Sequence, residues 1–322
     1  MSPEDRIAGA LLGTAVGDAL GLAAEGMSAH RIARRWGRLD RYRFLGRRGF
    51  VSDDTEQAAL VAAAIARHPN DPDRCAADFR RALVGWFWRL PWGIGKATIK
   101  ACLRATVGLQ PSGVLSAGNG AAMRAVVVGA FFHDRTDERR AFGRALAEVT
   151  HRDERAVQGA LAVAEVAARG PEAATEVVTE PSLRVGLGRA VSLADEGAPT
   201  ERAADELGVT GFILHTVPFA LYARLRHGPA ALVETVNAGG DTDSIGAIVG
   251  GWAGALGGPQ ALPPELVEAL AGGPFGGAHL RGLAAALARG DSPPPYSATV
   301  ALARNLALYP VVLAHGFRRL LP

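Results

Sequence analysis

The sequence predicts an all-α fold. Three observations carry that expectation: apolar residues recur at helical spacing from end to end, alternating β-branched stretches of strand length are almost absent, and the connections are short and marked by Gly, Pro or Asp. The first helix, 6–24, follows Glu4-Asp5 and carries a glycine at every fourth position; 54–67 opens on Ser52-Asp53-Asp54; 74–89 follows Asp71-Pro72; and 95–107 follows Pro91-Trp92-Gly93. Next come 120–132 after Gly118-Asn119, 137–149 with its charged opening Asp137-Glu138-Arg139-Arg140, 154–169 behind Asp153, and 181–196 starting on Pro181. The second half reads as 210–226, 229–237 beyond Gly228, 244–256 behind Asp241-Thr242-Asp243, then 262–272, 277–289 and 298–319. Nothing resembles an interdomain linker. Ser292-Pro293-Pro294-Pro295 is expected to angle a last helix, so that residues 1–322 form one domain with 293–322 as a helical extension packed on it.

Composition narrows the class. With 322 residues, 48% of them hydrophobic, the chain can bury a large core, which excludes disorder as its dominant state. The net charge is +3, and basic residues stand beside acids, as in Asp153-Glu154-Arg155. That is the pattern of solvated helix faces rather than of a nucleic-acid groove, and no stable nucleic-acid binding is expected. Lysine occurs only at 96 and 100, and the arginine excess reads as a base-composition habit. Cys75 and Cys102, with no CxxC pair, read as reduced core thiols of a cytoplasmic protein. The apolar run from Ile7 to Ala24 follows acids rather than a basic leader and is interrupted by Asp18, so it is expected to stay in the folded protein. The run from Ile245 to Leu256 is too short to cross a bilayer and the tail from Val300 to Leu321 contains Arg304, Asn305 and Pro310, so no membrane segment is expected. No long heptad demands a partner, and a monomer is the default.

Two stretches share a glycine at every fourth position: Gly9, Gly13, Gly17 and Gly21, and Gly246, Gly250, Gly254 and Gly258. Glycine inside a helix costs about 1 kcal/mol relative to alanine, so a repeated stripe implies a compensating gain from missing side chains. Two central helices packed at short separation are expected; membrane dimerisation is disfavoured by the polar neighbours.

Chemistry gathers at two acidic clusters. Ser52-Asp53-Asp54-Thr55 and Gly239-Gly240-Asp241-Thr242-Asp243-Ser244 each open a nearly uncharged helix. One Ser or Asp suffices to cap a helix and oppose its dipole, whereas each cluster supplies two acids with flanking hydroxyls. Buried carboxylates need compensation, and Asp53, Asp54, Asp241 and Asp243 together match the charge of two divalent cations. Hard oxygen donors without His or Cys point to magnesium or manganese over zinc or copper; calcium stays open, although no EF-hand pattern exists. A third element, Gly118-Asn119-Gly120 with Met123-Arg124, preceded by Ser112-Gly113 and Ser116, suits a phosphate or sugar at a helix start, and equally a simple turn. Asp18 could orient the loop after its helix or cap a neighbouring one. His151 alone would read as a surface or capping residue and His215 as a core histidine, while Trp86, Trp88 and Trp92 read as core and cleft wall.

In this order, Gly17-Asp18-Ala19-Leu20-Gly21 with Glu25, Ser52-Asp53-Asp54-Thr55, Gly118-Asn119-Gly120 with Met123-Arg124, Thr150-His151 and Gly239-Gly240-Asp241-Thr242-Asp243-Ser244 resemble the ADP-ribosylglycohydrolase family over residues 7 to about 258. The resemblance implies a compact all-α fold with two magnesium ions, manganese being the alternative, at the bottom of an ADP-ribose cleft. Its metal ligands map onto Ser52, Asp53, Asp54, Asp241, Asp243 and Ser244. Ser116, Gly118, Asn119, Gly120 and Met123 fall in its ribose and phosphate loop, with His151 and the Gly239-Gly240 turn lining the ligand. Glu25, Asp53 and Asp243 are the expected catalytic acids. The implied substrate is ADP-ribose joined to a protein or a nucleic acid. Serine stands at 52 where threonine is commoner, the turn from Pro91 to Gly95 lacks the acid that arginine-directed members carry there, and 293–322 lies outside the motifs. Two rival classes remain: a phosphatase of the haloacid dehalogenase type, which shares Asp-x-Asp but wants a preceding strand and α/β alternation, and a silent ADP-ribose-binding protein of the same fold.

Overall fold

The computed structural model describes residues 1–320, with side chains through 317, and builds them from helices and short 3-10 turns; no strand beyond isolated bridges occurs among the described residues. The last two residues of the expected domain, Leu321 and Pro322, lie outside that range. The helices are α1 (Pro3–Gly21), α2 (Ala29–Trp36), α3 (Asp53–Arg67), α4 (Pro72–Phe87), α5 (Lys96–Thr106), α6 (Val126–Phe131), α7 (Thr136–Glu148) and α8 (Glu154–Arg169). After them come α9 (Pro181–Asp195), α10 (Thr200–Leu207), α11 (Ile213–His227), α12 (Ala231–Asn237), α13 (Thr242–Gly257), α14 (Pro264–Glu268), α15 (Gly277–Arg289) and α16 (Ala298–Leu320).

The two glycine stripes face each other. A Cβ placed on Gly9, Gly13, Gly17 or Gly21 would stand 2.1, 2.1, 1.9 or 2.2 Å from the carbonyl oxygen of Gly254, Gly250, Gly246 or Thr242 respectively, so α1 and α13 run antiparallel with their backbones in contact. Close main-chain approach adds dispersion and Cα–H···O contacts that offset the poor helix propensity of glycine. Every residue of α1 from Ile7 to Gly21 is buried, the environment of a core helix. Helices α3, α6 and α15 pack around α1, while α8, α11 and α12 pack around α13.

The structure departs from the sequence expectation in four places. Helices α2 and α10 were not foreseen, because they lie on the surface and bury only Ile32 and the pair Ala203 and Leu207. The helix expected at 120–132 is a 3-10 turn at Asn119–Ala121 followed by α6, the chain turning so that Arg124 enters the core. The helix expected at 262–272 shrinks to α14, because residues 269–271 pair with Gly49: Gly49 N donates to Ala269 O at 2.9 Å and Ala271 N to Gly49 O at 2.8 Å.

Helix α16 lies across segments distant in sequence. Asn305 Nδ2 donates to Arg89 O at 2.9 Å, and His315 Nε2 lies 2.9 Å from Ala23 O. Leu308 packs with Leu22, Ala23, Phe44 and Trp92. Arg304 pairs with Glu56, in the first turn of α3, whose side chain is only 3% exposed and also accepts from Trp86 Nε1 at 2.6 Å. Removing one partner of a buried pair strands the other, so Arg304→Met is expected to lose roughly 3 kcal/mol in urea denaturation. Adding Glu56→Gln should restore most of that loss.

Candidate active site

The site assembles around the ends of α1 and α13. Near the end of α1, the buried carboxylate of Asp18 accepts from Ser52 N at 2.9 Å, Thr55 N at 3.2 Å and Thr55 Oγ1 at 2.5 Å. Asp18 therefore caps α3, the second of its two sequence readings. Beyond α1 the chain turns through Leu22–Ala24 into half-buried Glu25, and Gly26 N donates to Gly240 O at 2.7 Å. Gly239 and Gly240 have φ of 82° and 78°, where a side chain is strained, and a Cβ on Gly240 would lie 1.9 Å from Val209 O. That wedged turn delivers Asp241 and Asp243 to the start of α13.

Asp53, Asp54, Asp241, Asp243, Ser244 and Glu25 line one cleft of about 350 Å³ with Lys96, Thr98, Ser116, Gly118, Asn119, Gly120, Met123 and His151. Ser52 sits behind them as the N-cap of α3, donating to Asp54 Oδ2 at 3.1 Å. Gly239 and Gly240, expected to line the ligand, do not reach the cleft wall; they shape the turn that carries Asp241. Asn119 lines the cleft with its amide nitrogen already engaged: Nδ2 donates to Asp241 Oδ2 at 2.5 Å and to Thr216 Oγ1 at 3.0 Å, holding the glycine loop to the second acidic cluster.

Two residues tie the site together: Gln57, which sequence reasoning missed, and Arg124, which it named in the glycine-loop motif without a role. Gln57 Nε2 donates to Asp53 Oδ2 at 3.0 Å, and its Oε1 accepts from Arg124 Nη1 at 3.0 Å. Arg124 is buried and also donates to Gly120 O at 2.5 Å and Thr150 Oγ1 at 2.7 Å. The signal was available: a lone arginine inside the apolar stretch from Ala121 to Phe132. Thr150 Oγ1 in turn lies 2.7 Å from His151 Nδ1. Burial, and then the charge of Arg124, hold His151 down to about 3, so the imidazole is neutral. With Thr150 accepting from Arg124 and donating to Nδ1, we assign the ring proton to Nε2, which lies beside Gly118 and Gly120.

Electrostatics define what the cleft can hold. Burial, followed by neighbouring carboxylates, pushes Asp53, Asp54 and Asp243 well above the usual carboxylate range, and burial raises Asp18 and Asp241 to about 6. Asp54 Oδ1 and Asp243 Oδ1 are buried without a hydrogen-bond partner. Among the described residues no three acidic or imidazole side chains converge on one point; Asp53 and Asp241 take amide donors instead. Orphaned carboxylate oxygens, set among the oxygen donors of two acidic helix starts, nevertheless fit hard divalent cations. A raised folded-state pKa favours the protonated form, so these groups stabilise the metal-free fold at low pH, and that contribution is lost as pH rises through about 6. The rise in Tm caused by magnesium, measured against EDTA, should therefore grow between pH 5 and 7.

An all-α protein with a buried acidic cleft and a glycine loop opposite it is the class that fold and site define. The comparisons name the family: residues 1–295 match the ADP-ribosylglycohydrolases, and this chain belongs to that family. An uncharacterized protein of Archaeoglobus fulgidus is 32% identical over 287 residues, covering 83% of this chain and 92% of the relative. ADP-ribosylarginine hydrolase Tri1 of Pseudomonas putida is 28% identical over 84% of this chain and 76% of its own. ADP-ribosyl-[dinitrogen reductase] glycohydrolase of Rhodospirillum rubrum is 27% identical over 81% and 89%. A solved ADP-ribosylglycohydrolase-related protein complex superposes with TM-score 0.69 and 29% identity, covering 89% of this chain and 98% of that one. Family and relatives together indicate ADP-ribosyl hydrolase activity. Helix α16 begins beyond the matched residues.

Proposed function

We propose that this protein is a metal-dependent ADP-ribosylhydrolase, cleaving the glycosidic bond between ADP-ribose and a modified target, and that it works as a cytoplasmic monomer. The observation that carries this reading is the pair of orphaned buried oxygens, on Asp54 and Asp243, brought together from two helix starts at one cleft. Ser52, Asp53, Asp54, Asp241, Asp243 and Ser244 would hold two divalent cations, magnesium or manganese, which when bound supply Lewis acidity toward ribose hydroxyls and water. Ser116 and the Gly118–Gly120 loop receive the phosphates and ribose, and His151 offers an Nε2–H donor beside them. Bond cleavage at the anomeric carbon passes through an oxocarbenium-like state that the surrounding carboxylates stabilise, with Glu25 or an aspartate of the cluster taking and returning the proton.

Release of free ADP-ribose from protein- and nucleic-acid-linked substrates, with magnesium or EDTA, tests this for the wild type and Asp53→Ala. Binding of ADP-ribose with no release from any linkage would leave the silent binding protein as the correct reading.

The rim bears on the linkage. A Cβ on Gly93 would lie 2.8 Å from Asp53 Oδ1, the turn from Pro91 to Gly95 carries no acid, and Lys96 is the cationic side chain of the described cleft lining, a charge that repels a guanidinium. We propose that this rim disfavours a guanidinium leaving group. Lys96→Glu is expected to raise kcat/KM for arginine-linked relative to serine-linked substrate by about tenfold.

A further inference from the structure

We propose that the protein docks peripherally on anionic membrane surfaces through α16 and the arginine-rich segment beside it. The inner side of α16 is fixed to the body by Arg304, Asn305, Leu308 and His315. Its outer side is an uncovered apolar stripe: Leu306, Pro310, Leu313 and Phe317 follow one another at helical spacing, and Leu306, Leu313 and Phe317 are 52%, 55% and 67% exposed. The helix is long and apolar enough to cross a bilayer, but its polar inner side is bonded to the protein, so it can only lie along a surface.

The second observation is charge. Residues 31–48 contain eight arginines and a single acid, Asp40, so this one stretch carries +7 in a chain whose total is +3, and the remainder is net negative. Basic residues elsewhere are offset by acids, so the chain's net positive charge is concentrated here. Arg38 and Arg41 pair with Glu234 and Asp40, while Arg34, Arg35, Arg47 and Arg48 form no ion pair among the described residues. This segment borders the C-terminal half of α16: Phe44 meets His315 at 5.2 Å between ring centroids, and Arg35 stacks on Trp36, which packs in the same cluster as Leu308. Next to Phe44, Leu45 is 42% exposed and leads into Arg47 and Arg48.

An apolar stripe flanked by unpaired arginines fits one occupant. Nucleic acid would satisfy the arginines and leave the stripe in water. A second copy meeting on the stripe would bring two such basic segments toward each other. An anionic bilayer satisfies both, with headgroups opposite the arginines and the acyl boundary opposite the stripe, which is the two-signal arrangement that stable peripheral binding requires.

The full chain should be sedimented with vesicles of phosphatidylcholine alone, or of phosphatidylcholine with roughly one third phosphatidylglycerol. Binding to the anionic vesicles is expected to be at least about tenfold stronger, to weaken with salt, and to fall about tenfold in Phe317→Asp and in Arg47→Ser/Arg48→Ser. Hydrolysis of a soluble substrate by these variants should be unchanged, which separates docking from folding and from the catalytic reading. Failure to bind either vesicle overturns the proposal. So would a wild-type dimer that Phe317→Asp dissociates, or salt-sensitive binding to single-stranded DNA that Phe317→Asp leaves intact, in the absence of vesicle binding.

Discussion

Asp243→Ala is expected to lower kcat/KM by at least about a thousandfold, roughly 4 kcal/mol of transition-state stabilisation. Its carboxylate is buried, Oδ1 has no partner, and Glu25, Asp241 and Asp54 surround it. Without it, three cluster aspartates face a charge that four would balance, and magnesium affinity should fall with turnover in isothermal titration. The sign of the stability change separates this from a structural role. In EDTA the wild type confines several carboxylates that repel one another, so removing one should raise the Tm of the metal-free protein. Lower activity together with higher metal-free stability is the signature of a functional carboxylate; loss of both would show that Asp243 mainly supports the fold.

The second large effect falls on Gly250. Alanine at a helical position ordinarily gains about 1 kcal/mol over glycine. Here a Cβ would stand 2.3 Å from Gly13 O, and that atom belongs to the main chain of α1 rather than to the end of a flexible side chain. The helices must separate along their length or the residue must distort its own turn. Gly250→Ala is therefore expected to destabilise by about 3 kcal/mol, and Gly250→Val to prevent folding. Urea denaturation of the alanine variant checks the first value, and the yield of soluble protein checks the second.

The parts of the molecule legible in the sequence are those whose physics is local. The glycine stripes could be read because a fourfold repeat of a poor helix former has few explanations, and both acidic clusters because they offer more oxygen than capping uses. Asp18 was seen but its role was ambiguous, since capping α3 depends on two segments 34 residues apart. Helices α2 and α10 were invisible to hydrophobic periodicity because they bury so little. Arg124 and Gln57 belong to a network of three chain segments, 53–57, 120–124 and 146–151, and no short window of sequence contains it. The eight arginines of 31–48 were visible all along, but averaging over the whole chain hid them, and only the position of Phe44 under α16 gave them a neighbour.

The contact between α1 and α13 also acts as a gauge. Thr242 Oγ1 donates to Gly21 O at 2.8 Å at one end of it, and Asp18 on the same helix fixes the start of α3, so both acidic loops are referenced to a single main-chain separation. Side chains repack when a neighbour changes, whereas two backbones already in van der Waals contact cannot move closer and gain nothing by moving apart. The spacing between the two sets of carboxylates is thus insulated from drift elsewhere in the core. Loops at the cleft rim are free to diversify toward new targets without retuning the chemistry beneath them.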